Sequence, residues 1–286
     1  MFFAITLSYD GTGFVGWQRQ AAGTSVQGLL EDALRDLDQR DVAVTGAGRT
    51  DAGVHALGQV ASFALARSID AATLVRALNA RLPETVRIVS ASAVAEAFHA
   101  RYDATRKTYR YRIWNADILS PFERAYAWHI AGHLDTKAMD EAARLVEGRR
   151  DFAAFQAAGA ATTTSVREVF SSRISHRAGP DKARPTSGLG DEGWPASGPG
   201  DVGRGLSAPP ASALVEYEVV GSGFLRHMVR TIVGSLVEIG LGRRPVTWMT
   251  TVVEGRDRSR AGPTAPPHGL VLVAVEYGSR LLAAER

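Results

Sequence analysis

Cysteine is missing from all 286 residues, which excludes disulfides, thiolate zinc sites and thiol nucleophiles together. That is the composition expected of a protein kept in a reducing cytoplasm. Lysine is nearly missing as well: Lys107, Lys137 and Lys182 stand against thirty arginines. Arginine is the better fork for phosphates and stacks on bases, but GC-rich coding gives the same bias. A net charge of +3 therefore permits a nucleic-acid partner without specifying one. No apolar run approaches the ~20 residues that a bilayer-crossing helix needs. The opening stretch, MFFAITLSYDGTG, has no basic region ahead of its apolar residues, so no signal peptide is expected.

What remains is the composition of a globular chain, 45% hydrophobic and 22% charged, long enough for two domains that each bury a core. FFAITLSY reads as a strand, and Val26, Leu29, Leu30, Ala33, Leu34 and Leu37 recur at helical spacing after it. Asp70 and Asp135 stand where helix N-caps belong, before AATLVRALNARL and a helix through Glu147. Strands are expected at VRIVSASAV, KTYRYRIW, SVREVFSSRISH, SALVEYEVV and GLVLVAVEY, and a helix over FLRHMVRTIVGSLVEIG. YDGTGFV and VVGSGFL echo each other, each a strand leaving through Gly-Ser/Thr-Gly-Phe, which suggests two α/β halves of related design. Residues 178–211 hold six of the twelve prolines, eight glycines and one aromatic, Trp194. Such a segment cannot bury enough apolar surface to offset its ordering entropy, so it reads as a disordered insert without a catalytic part.

GAGRTDAGVHALGQVASF carries the chemistry-bearing residues. Gly48 to Gly53 begins like a phosphate loop, but Val54 and His55 stand where Lys and Ser/Thr should, and strand formers follow instead of a helix. A pliable hairpin loop between two strands fits better. On composition alone, Asp51 is then an ordinary turn residue. In KTYRYRIW, Tyr109, Tyr111 and Ile113 share one face and Thr108, Arg110 and Arg112 the other. In the helix beginning at Phe224, Arg226 and Arg230 share a polar stripe that Gly234 and Ser235 extend with little bulk, so another chain or ligand could approach closely. His227 lies between the faces and reads as structural.

Six segments in register resemble the bacterial tRNA pseudouridine synthase A family: YDGTGFVGWQRQ, GAGRTDAGVHALGQVASF, NARLP, FHARYDATRKTYRY, FLRHMVRTIVGSLVEIGLGR and GLVLVAVEY. The likeness runs along nearly the whole chain apart from the insert at 178–211. It implies an α+β fold, two ferredoxin-like halves (1–105 and 106–286) around a central antiparallel sheet, with helices on one face and a cleft between them. It implies an isomerase that detaches uracil from ribose and rejoins it through carbon, at uridines 38, 39 and 40 of the tRNA anticodon stem-loop. By position, Asp51 matches the catalytic aspartate and Tyr109 the tyrosine that stacks on the flipped uracil and helps remove the C5 proton. Arg230 matches the arginine paired with the aspartate, and Arg49 the one that supports flipping. Arg101 and Arg226, within matched segments, are expected to contact substrate. The family works as a homodimer, without cofactor or metal. A tRNA-binding module of this fold without chemistry is the rival reading, and it would have Asp51 or Tyr109 replaced.

Overall fold

The computed structural model describes residues 1–157, 163–177 and 213–278. The insert read from composition at 178–211 lies outside them.

The chain starts with strand β1 (Phe2–Tyr9), helix α1 (Val26–Asp38), the short β2 (Thr45–Gly46), β3 (His55–Ala64), α2 (Ala71–Asn79) and β4 (Val86–Ala93). There follow β5 (Ala104–Asn115), β6 (Trp128–Ile130), α3 (Thr136–Arg144), β7 (Gly148–Asp151) and β8 (Val166–Arg177). The last elements are β9 (Leu214–Gly221), α4 (Met228–Gly240), α5 (Trp248–Gly255) and β10 (Leu270–Tyr277). Among the described residues, all ten strands belong to one sheet of order β4-β1-β3-β10-β5-β9-β8-β7, with β2 beside β3 and β6 beside β5. Its pairings are antiparallel except β10 with β3 and β5 with β6. The fold is thus mixed α/β around a large, mostly antiparallel sheet. Among the described residues, no helix is long and apolar enough to cross a membrane.

Local chemistry explains where the helices begin. Ser25 Oγ accepts from Gly28 N–H, Asp70 Oδ1 from Thr73 N–H and Asp135 Oδ1 from Ala138 N–H, each capping an orphan donor of the first turn. Such a cap stabilises a helix by ~1 kcal/mol. Val26, Leu30, Ala33, Leu34 and Leu37 bury one face of α1. They join one hydrophobic cluster with Phe3, Tyr111, Tyr217, Ile232 and Leu236, at ~1.5–3 kcal/mol for each large side chain withdrawn from water.

The period-2 reading of β5 holds: Tyr109, Tyr111 and Ile113 are all buried. The opposite face is not simply solvated. Arg110 pairs with Glu218 at 2.8 Å and Arg112 with Glu123 at 2.8 Å, with buried Glu216 within 3.6 Å of Arg110. β8 and β9 pair directly, Arg177 opposite Leu214, so the sequence-predicted insert joins neighbouring strand ends.

Two expectations about the arginine helix are corrected. It begins at Met228, not Phe224, because His227 has a left-handed backbone (φ 65°) that ends helical geometry there. Arg226 therefore lies ahead of the helix rather than on a stripe with Arg230. Second, the small residues are not open to a partner, since residues 262–265 of this chain lie along them. Ser235 Oγ accepts from Gly262 N–H at 2.9 Å, and a Cβ on Gly234 would fall 1.7 Å from the Pro263 carbonyl oxygen. Gly234→Ala must push that backbone away, as in an overpacked core, and should cost at least ~1–3 kcal/mol in urea denaturation. Wild-type stability in the variant would contradict the close packing.

Candidate active site

Asp51 sits between β2 and β3, in a loop expected from its glycines to be pliable. The loop is instead pinned along its length. Ala47 N–H donates to Val60 O at 2.7 Å, Gln59 Nε2 to Gly48 O at 2.8 Å and Trp17 N–H to Thr50 O at 3.1 Å. Thr50 Oγ1 lies 2.8 Å from the hydroxyl of Tyr9, whose pKa burial pushes up to about 12 against hydrogen bonds from Thr50 and Gln59.

The glycines serve this packing more than ligand access. A Cβ on Gly46 would stand 2.4 Å from the Trp17 indole, and Gly53 holds φ at 76°. Only Gly48 turns towards open space, where a Cβ would meet the Tyr109 hydroxyl at 3.7 Å and Lys107 Nζ at 3.9 Å. The YDGTG segment supports the loop from outside. Gly11 N–H donates to Nδ1 of the buried His55, whose Nε2 faces the carbonyls of Ala125 and His268, each at 3.1 Å.

The Asp51 carboxylate meets α4. Arg230 Nη1 donates to Asp51 Oδ2 at 2.9 Å, while Arg230 Nε donates to Ala265 O at 2.7 Å. The guanidinium is 13% exposed and the carboxylate 26%, so the pair is largely shielded from water. A charge-assisted bond in such surroundings is short and strong, and it fixes the carboxylate at the wall of the cleft. His227 Nε2 lies 3.5 Å from the same oxygen. Burial pulls its pKa down; Asp51 opposes that shift, and Arg230, Arg226 and Arg258 reinforce it. The imidazole is therefore uncharged at neutral pH.

Tyr109 packs edge-on against Phe224, ring centres 5.2 Å apart, and its hydroxyl makes no hydrogen bond among the described residues. Burial raises its pKa strongly, with smaller contributions from Tyr9 and Asp51, so the phenol stays protonated at physiological pH. Tyr111, two residues on, donates to Pro266 O and is structural.

Asp51, Tyr109 and Arg230 open into one cleft of about 1500 Å³. Arg49, Arg101 and Arg226 line the same cleft and are exposed, and none of them forms an ion pair among the described residues. Lys107 reaches in from β5, its ammonium donating to Ala47 O at 2.6 Å. Burial, then the fields of Arg101 and Arg167, pulls its pKa down to about 8. Sequence reasoning gave no site role to Lys107 or His227. The alternation of β5 could have found Lys107, which shares the face of Tyr109. Nothing local marks His227, because its left-handed backbone is imposed by the turn into α4.

Residues 5–103 and 142–278 match the tRNA pseudouridine synthase family. Over 273 residues the chain is 42% identical to the tRNA pseudouridine synthase A of Myxococcus xanthus, covering 96% of this chain and 91% of that protein. It is 40% identical to the proteins of the same name from Methylacidiphilum infernorum and Syntrophotalea carbinolica, covering 96% of this chain and 95% of each relative. With a match over most of its length and relatives this similar end to end, the chain belongs to the tRNA pseudouridine synthase family.

Proposed function

We propose that this protein isomerises uridine to pseudouridine at positions 38, 39 and 40 in the anticodon stem-loop of tRNA. The observation that carries the reading is the Asp51–Arg230 pair in a cleft also lined by Arg49, Arg101 and Arg226, which have no carboxylate partner among the described residues. A uridine stacked in a helix cannot present its ring to a carboxylate, so the nucleotide is extruded, at a few kcal/mol. Exposed Arg49, beside Asp51, occupies the space the base leaves, and Arg101 and Arg226 hold phosphates. Tyr109 stacks on the extruded uracil, recovering ~1–3 kcal/mol.

Asp51 supplies the nucleophile that carries the substrate while the bond from C1′ to N1 breaks and the bond from C1′ to C5 forms. The C5 proton then leaves and N1 gains one, so atoms and electrons balance without a redox partner. With its pKa raised, the Tyr109 hydroxyl serves as a relay, accepting the C5 proton as it passes its own to solvent in the open cleft, from which N1 takes one back. Arg230 holds Asp51 by one carboxylate oxygen, and its anchor on Ala265 fixes the direction of approach.

The architecture supports a two-half reading. β1, α1, β2, β3, α2, β4 and then β5, α3, β8, β9, α4, β10 each run βαββαβ. Their strands lie in the orders β4-β1-β3-β2 and β10-β5-β9-β8, the same arrangement twice. On this reading the halves are ferredoxin-like, divided near residue 105, with the cleft between them and helices on one face. The working form is a cytoplasmic homodimer.

Incubating the purified chain with tRNA and locating pseudouridine base by base tests the proposal. The product should appear at 38, 39 or 40. Unmodified tRNA under saturating enzyme would end it.

A further inference from the structure

One wall of the cleft holds an aromatic that the chemistry above does not use. Tyr102 is 75% exposed and lines this wall of the cleft. It is also held rigidly. The N–H groups of Arg101 and Tyr102 donate to His99 Nδ1 at 3.1 and 3.2 Å, and His99 N–H donates to Asp103 Oδ2 at 2.8 Å. The turn from His99 to Asp103 is thereby closed on itself. It places the His99 ring against one side of Tyr102, centroids 4.2 Å apart and planes 32° from parallel. The Arg101 guanidinium lies 5.8 Å from the Tyr102 ring centre.

The wall behind is cationic. Arg101, Lys107 and Arg167 all line the cleft; after burial, the fields of Arg101 and Arg167 pull the Lys107 pKa down, and that of Arg101 pulls Arg167 down. None has a carboxylate partner among the described residues. A fixed, exposed aromatic beside several uncompensated cations is the pairing that binds a single-stranded nucleotide: base on ring, phosphate on cations.

We propose that Tyr102, backed by His99, is the platform of a second nucleotide subsite, which stacks an unpaired base of the RNA while Arg101, Lys107 and Arg167 hold the adjoining phosphate. Resting on the tRNA reading above, this subsite receives a base of the anticodon loop and sets which stem-loop enters the cleft. It acts on affinity and not on the chemical step, since Tyr102 touches neither Asp51 nor Tyr109.

The test uses the full chain in an Asp51→Asn background, so that bound RNA is not consumed. Tyr102→Ala should weaken binding of an anticodon stem-loop RNA by ~5- to 150-fold, the equivalent of ~1–3 kcal/mol of base stacking. Tyr102→Phe and Tyr102→Trp should bind like the parent, and a duplex of the same stem without its loop should not distinguish the variants. With 2-aminopurine placed in turn at each unpaired loop position, at least one position should be quenched on binding to the parent and not to the Ala variant. Equal affinity of the Ala variant and its parent would overturn the proposal. So would loss in the Phe variant matching that in the Ala variant, or quenching indifferent to Tyr102. Because the readout is independent of turnover, it separates from the isomerase reading. Failure of the native chain to form pseudouridine would sink that reading and leave the stacking result standing.

Discussion

Asp51→Asn should abolish pseudouridine formation while leaving tRNA bound and the protein folded. Asn matches Asp in size and can keep the turn, in which Val54 N–H donates to the Asp51 carbonyl and not to its side chain. Arg230 remains anchored to Ala265, so the site should not collapse. What disappears is the negative charge that makes the side chain a nucleophile. Removing the central member of a catalytic group costs on the order of 10⁴-fold or more, and positioning alone does not recover it. Single-turnover assays with enzyme in excess over tRNA read the chemical step directly. If Asp51 were only a hairpin residue, the change would be nearly silent, because Asn suits turns equally well. Normal product from the Asn variant would therefore end the catalytic assignment.

The second large effect is expected at Tyr109. Phe in its place keeps the ring, the edge-on contact with Phe224 and the surface for a base, so fold and tRNA affinity should persist. It removes only a hydroxyl that makes no hydrogen bond within the described protein. That hydroxyl is free for substrate, and its loss should lower turnover by ~10²–10⁴-fold, the usual worth of a proton-transfer group. The split is diagnostic: turnover falls and affinity does not. An unchanged rate would leave Tyr109 as a stacking surface alone.

The two substitutions also separate what the site needs from what holds it together. Asp51 lies in the loop between β2 and β3 and Tyr109 on β5, and neither supports the other through a hydrogen bond. Their effects on stability should therefore be small and independent. Gly234 is the opposite case, packed against Pro263 one turn along α4 from Arg230.

Sequence periodicity by itself determined the main elements, because it reports on local chemistry. Period 2 in β5 put Tyr109 and Tyr111 on one buried face, and the caps at Asp70 and Asp135 opened their helices as expected. Elements too short for a periodic signal escaped it: β6 with three residues, β7 with four and α5 with eight. The family resemblance named Asp51 and Arg230 as partners, but composition gave no reason to join residues 179 apart in sequence.

Only the tertiary structure decided that contact, through the sheet order that brings β3 and its Asp51 loop alongside β10 and the second half of the chain. It also decided the true start of α4, the covering of Gly234 by residues 262–265, the approach of His227 to Asp51 and the rigidity of a glycine-rich loop. The common physical reason is that each depends on backbone groups or side chains arriving from distant segments. Local propensity does not encode their donors, acceptors and volumes. A loop that looks pliable as a string of glycines becomes fixed once Trp17, Gln59 and Tyr9 reach it from three other parts of the chain.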